Sequence, residues 1–239
     1  MLRPQKPLTV VLGAIIALTL CGHENASASK TNASQAPLYQ STFFKYANNP
    51  EANQRITYYS GFSFLAPQGE NWIEGPRQPE PDPLNYGLVH RMVFTKLLPQ
   101  DEQRGPHSVL ANVHTIRLTR QNQSIDPREF MAYRMRLVMG SDKVLKNIKI
   151  SSQKGELIEL SGYQCFRYDA VYENYGVIGF RGIPFKINNH MTECMAPSRE
   201  FVVRMQYGQM VPPNVEPIDI SREGEEFLKN LRFTSGTQG

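Results

Sequence analysis

Cysteine is scarce in this chain, with three among 239 residues, and Cys21 lies far from Cys165 and Cys194. No CxxC pair occurs, and one histidine near two cysteines is a thin ligand set for structural zinc, so no metal is expected. Runs of like charge are also missing. The 26 Lys and Arg and the 22 Asp and Glu are scattered, with no basic stripe alternating with aromatics, which argues against nucleic acid as a partner. Beyond residue 20 no apolar run is long enough for a transmembrane helix, and no internal repeat is visible.

What is present begins with an export signal. Arg3 and Lys6 precede an apolar run, Leu8 to Leu20, that is too short to span a bilayer in the ordinary way. Two processing sites compete. Small residues in Ala26–Ala28 suit cleavage after residue 28, making 1–28 a signal peptide. The alternative is a 1–20 leader with lipidation at Cys21, in a stretch that resembles a bacterial lipoprotein signal. The apolar run ending on Cys21 favours lipidation, and the bulk of Leu20 opposes it. Residues 29–40 read as a flexible linker, 41–234 as a single globular domain and 235–239 as a tail. Removing 1–28 takes away Arg3, Lys6 and Glu24 and lowers the formal charge from +4 to +3.

Within the domain, Ile56–Pro67 reads as two short strands around a turn at Ser60–Gly61. Gly75–Gly87 holds four prolines in eight residues and reads as an irregular surface loop. Leu88–Leu98 and Val109–Thr119 are β-rich. Asp126–Gly140 has helix signals: Asp126 as cap, Pro127 in the first position and Glu129 three residues after the cap. Three strand-like segments follow through Gly176. In the last of them Phe166, Tyr168, Ala170 and Tyr172 share one face, while Cys165, Arg167, Asp169 and Val171 share the other. Arg199–Gly208 is a further strand. Ser221–Phe233 closes the domain as a helix with Phe227, Leu228 and Leu231 in an apolar stripe.

These elements imply an α+β fold, with helices covering a mainly antiparallel sheet. The hairpin "GFSFLAPQGENW", the mid-chain helix, the strands after it and the terminal "FLKNLRF" resemble the PsbP-like family over roughly Thr57 to Phe233. That resemblance implies an α/β/α sandwich with a central antiparallel sheet. It implies a mostly non-catalytic role and supplies no catalytic residues.

For an exported chain, Cys165 and Cys194 are expected to pair as a disulfide. A nucleophilic Cys194 would need a base such as His190. Four extended residues separate the two by about 13 Å, and no third group orienting the histidine is evident. His107 and His114 are seven apart and should face opposite ways on a strand. His90 reads as a packed or surface histidine. The glycines of Gly176–Gly182 lack the helix of a phosphate loop and read as a hairpin tip. Glu225 and Glu226 read as solvated charges of the last helix. Tyr172, Tyr175, Phe180, Arg181 and Phe185 form a candidate recognition surface if exposed, and otherwise close one end of the core.

The expected function is an exported, non-catalytic envelope protein without cofactor. It would bind an envelope protein or small ligand, as an accessory subunit of an envelope complex. Membrane contact is expected only through an N-terminal lipid anchor, and the location is periplasmic. The competing expectation is a small periplasmic hydrolase or thiol-dependent enzyme.

Overall fold

A computed structural model describes residues 44–45, 55–58, 61–75, 78–80, 89–98, 107–141, 147–177 and 179–234. The expected leader, Cys21 and the expected linker lie outside these residues. Strands β1 (Phe44–Lys45), β2 (Ile56–Tyr58), β3 (Phe62–Phe64), β4 (Trp72–Glu74), β5 (Gln78–Glu80), β6 (Val89–Lys96) and β7 (Ser108–Arg117) come first. The helices α1 (Arg120–Gln123) and α2 (Pro127–Ser141) follow, then β8 (Ile148–Leu160), β9 (Tyr163–Asn174), β10 (Phe185–Met195) and β11 (Phe201–Val211). Helix α3 (Ser221–Lys229) and β12 (Arg232–Phe233) complete the described chain. The fold class is α+β.

Among the described residues the main sheet runs β1-β4-β6-β7-β11-β10-β9-β8, with β5 also on β6, and every pair is antiparallel. A second sheet, β12-β3-β2, has three strands. Two hydrophobic cores lie on opposite faces of the main sheet. One joins Phe130, Met131 and Val138 of α2 to Phe166, Tyr168, Ala170 and Tyr172 of β9. The other joins Phe227 and Leu228 of α3 and Phe62, Phe64 and Phe233 of the small sheet to Cys165, Cys194, Val203 and Met205. Strand period two produces this division, and β9 divides as its sequence alternation predicts.

Helix α2 starts as expected, with Asp126 Oδ1 accepting from the backbone N–H groups of Arg128 and Glu129 at 3.0 and 3.1 Å. Two expectations need correction. The Pro-rich stretch is not wholly irregular, because Gln78–Glu80 pairs with β6; at an edge position Pro79 removes no ladder hydrogen bond that the sheet requires. The terminal helix stops at Lys229 rather than continuing to Phe233. Its cap position is Ile220, without a side-chain cap, and Arg232 and Phe233 leave the helix to pair with Ser63 and Phe62.

Candidate functional site

The register of the sheet brings Asp169, His190 and Tyr207 into one row on the face covered by α3. Arg167 stands two residues before Asp169 on the same face. Helix α3 reaches this row because Gly224 has no side chain: a Cβ there would fall 2.1 Å from the Tyr207 ring. The following residue, Glu225, therefore sits against Arg167.

A chain of charged groups results. The Arg167 guanidinium donates to both Glu225 carboxylate oxygens, from Nη1 to Oε2 at 3.1 Å and from Nη2 to Oε1. Its Nε donates to Asp169 Oδ2 at 3.1 Å. Asp169 Oδ1 lies 2.6 Å from His190 Nδ1. The imidazole stacks on the buried Tyr207 ring with centroids 4.7 Å apart and planes at 14°. Lys229 Nζ approaches Glu225 Oε2 at 3.3 Å.

The titration tendencies follow from this arrangement. Burial alone would push the Asp169 carboxyl up, but the hydrogen bonds from His190 and Arg167 outweigh it and hold the group below the usual range. Glu225 is held low in the same way, with Arg167 outweighing burial. The Arg167 guanidinium is pushed up, chiefly by its hydrogen bond to Glu225. Burial, reinforced by Glu225, pushes the Tyr207 hydroxyl up. An ionised Asp169 only accepts hydrogen bonds, so the His190 ring must donate through Nδ1–H. Among the described residues Nε2 has no hydrogen-bond partner, and the side chain is 30% exposed.

A carboxylate fixing an imidazole through Nδ1 is the arrangement that orients a general base or a metal-ligating histidine. Here Asp169 is the orienting group, which the sequence alone does not reveal. The signal lay in the alternation that put Asp169 and Arg167 on one face; what was missing was the register with β10. Among the described residues no group of three metal-capable side chains converges. Glu225 is also corrected: it pairs with Arg167 rather than standing solvated, whereas Glu226 pairs with the exposed Arg222.

A second polar cluster is buried on the α2 face. Glu193 is fully buried and accepts from Arg134 Nε and Nη2 at 2.6 and 2.9 Å and from Arg204 Nε at 2.7 Å. Burial would raise its carboxyl, but the two guanidiniums bring it down to about 2. No pattern in the sequence marks this network, because Arg134, Glu193 and Arg204 lie on separate elements that only the packing of α2 on the sheet brings together.

Cys165 and Cys194 stand opposite each other on β9 and β10, with Cα atoms 4.1 Å apart and an S–S distance of 2.07 Å. Both are fully buried, so Cys194 is bonded rather than a free nucleophile. His107 contacts Gln209, while His114 lies across from Arg204 on the other face, so the two point apart.

The candidate recognition residues do not form one surface. Of the two readings, closing one end of the core is the one that Tyr172 and Phe185 follow: both are buried in the α2-side core, and Phe180 packs edge-on against Phe185 at 5.6 Å. Arg181 is exposed, and the half-buried Tyr175 donates its hydroxyl to Glu173 at 2.6 Å. At the opposite end of the sheet, a pocket of about 200 Å³ lies between the β8–β9 turn, the β10–β11 loop and Pro127. Tyr163, Met195, Pro197 and Arg199 help to line it.

No family model matches the chain, and no curated protein matches it. Solved structures similar to it include LpqN of Mycobacterium tuberculosis, described as involved in cell envelope biogenesis. That likeness has 16% identity and a TM-score of 0.44, over 75% of this chain and 89% of LpqN. The cyanobacterial PsbP of Synechocystis is similar at 11% identity and a TM-score of 0.43, over 84% of this chain and 98% of the other.

Proposed function

We propose that the protein is an exported accessory protein of the cell envelope that works by binding a protein partner. The Cys165–Cys194 disulfide carries this reading, because a fully buried disulfide belongs to a chain that folds in an oxidising compartment. The positively charged, apolar leader supports the same location. Non-catalytic binding is favoured because Arg167, Asp169 and Glu225 beside α3 are engaged in holding one another. On this reading the domain works in the periplasm, either free or held through a lipid at Cys21.

Fractionation of cells followed by cross-linking and affinity capture tests the proposal. The expected result is recovery in the envelope fraction together with one reproducible protein partner. Recovery in the cytoplasm with reduced cysteines would overturn it. Intact mass decides the anchor: a lipid-modified Cys21 supports tethering, and an unmodified chain starting at Ser29 removes it.

A second reading rests on the Asp169–His190 pair, whose Nε2, without a partner among the described residues, suits a general base. Hydrolysis that appears in a broad ester and amide screen and disappears in His190→Ala, with folding intact, would favour a hydrolase instead.

A further inference from the structure

The described residues of the β9–β10 connection are tied together by backbone hydrogen bonds. Gly182 N–H donates to the Tyr175 carbonyl at 2.9 Å, Phe180 N–H to the Val177 carbonyl at 3.0 Å and Ile183 N–H to the Phe180 carbonyl at 3.1 Å. Phe180 and the buried Val177 root it in the α2-side core. Its outer part projects from the body: a Cβ built on Gly179 or Gly182 would meet nothing within 4 Å. Ile183 is 41% exposed there, beside the exposed Arg181, Pro184 and Lys186.

The tip's own charges have one sign, although Glu173 stands across the ladder from Lys186. Residues 175–187 contain Arg181 and Lys186 and no carboxylate. Among the described residues neither cation has an ion-pair partner. The exposed Lys149, on the neighbouring β8, lies 3.6 Å from Glu173, so that pair adds no net charge.

We propose that this tip docks the domain on an anionic phospholipid surface, with Ile183 entering the acyl boundary and Arg181 and Lys186 meeting lipid phosphates. Long cationic side chains reach headgroups while an aliphatic neighbour is buried, and each basic residue near an anionic bilayer adds attraction. A folded protein partner fits less well, because stable interfaces bury roughly 800 Å² on each side, more than a few projecting residues supply. The contact is separate from any lipid at Cys21 and would act as a second, orienting attachment. It deepens the envelope reading, but its test is made on vesicles and does not depend on where the protein is found.

The full chain carrying Ile183→Trp provides a reporter at the tip, since Trp72 is buried and gives a constant background. Vesicles containing phosphatidylglycerol should shift the tip emission to the blue, and pure phosphatidylcholine vesicles should leave it unchanged. In the same background, Arg181→Gln with Lys186→Gln should weaken partitioning roughly 20-fold to 30-fold. Unchanged far-ultraviolet circular dichroism and melting temperature would show that the fold persists in both variants. No shift with anionic vesicles, or an equal shift with neutral ones, would overturn the proposal. So would a shift produced only by a captured protein partner, which would assign the tip to protein recognition.

Discussion

Glu193 places one carboxylate between the guanidiniums of Arg134 and Arg204, inside the core on the α2 face. Removing its charge leaves two buried cations facing each other without a counter-ion. Glu193→Gln is therefore expected to destabilise the fold by roughly 3–5 kcal/mol, measured by denaturant unfolding. The acid dependence has a definite sign. The folded carboxyl titrates near 2 against an ordinary 4.5, so its stabilisation is complete above about 4.5 and is lost as pH falls toward 2. Melting temperature should fall across that window, and the fall should be shallower in Glu193→Gln. Gly224 shows a different constraint: its missing side chain is what admits the Tyr207 ring. Gly224→Ala must push α3 or the ring aside, at a cost of roughly 1–3 kcal/mol, and should remove the stacking environment of His190. Loss of near-ultraviolet signal from Tyr207, with far-ultraviolet signal retained, would report this displacement.

Helix α3 is held by two kinds of contact. Phe227 packs against Phe64 and Phe94 with ring centroids 6.3 and 6.2 Å apart, anchoring the apolar side. Toward its start Glu223 accepts from Trp72 Nε1 at 2.9 Å and from Lys96 Nζ at 2.7 Å, and farther along Glu225 meets Arg167. Arg167→Met should leave the helix folded through the aromatic contacts while loosening its edge over β9. Hydrogen exchange should quicken at residues 221–229, global stability should drop by about 1 kcal/mol, and the Asp169 and Glu225 titration midpoints should move up. Unchanged exchange would show that the ion pair holds nothing in place. The apolar stripe of this helix and the alternation of β9 were legible in the sequence, because burial imposes periods of 3.6 and 2. The polar chain was not, because Arg167, Asp169, His190 and Glu225 lie up to 58 residues apart and only strand register brings them together. The helix end was misread for a related reason: "NLRF" has helical spacing, but pairing with β3 claims Arg232 and Phe233 for a strand.

At the scale of the molecule, the main sheet separates two cores, and the disulfide lies in the one shared by α3 and the small sheet. The class of the fold was readable from strand and helix signals, whereas the strand order was not. The β7–β11 pairing crosses a long stretch of chain, and no local pattern announces such a neighbour. Replacing both cysteines, Cys165→Ala with Cys194→Ala, is expected to lower stability by about 3–4 kcal/mol, since the bridge closes a segment of 29 residues. A denaturation series of oxidised and double-variant protein measures this directly. Equal midpoints would mean that the bridge does not constrain the unfolded chain.

Placing that bridge between directly opposed residues also affects how the chain acquires its structure. Strands β8, β9, β10 and β11 follow one another as successive hairpins, and the two thiols belong to the middle hairpin. A chain threaded outward from its N-terminus delivers Cys165 first and Cys194 29 residues later, before β11 has followed. Oxidation at that moment would fasten the hairpin in one alignment and prevent its strands from sliding by a residue. The β7 strand, already delivered, would then await β11 as the docking edge of a pre-aligned meander. The slow, long-range step of folding would be a single closure onto a template rather than a search among registers.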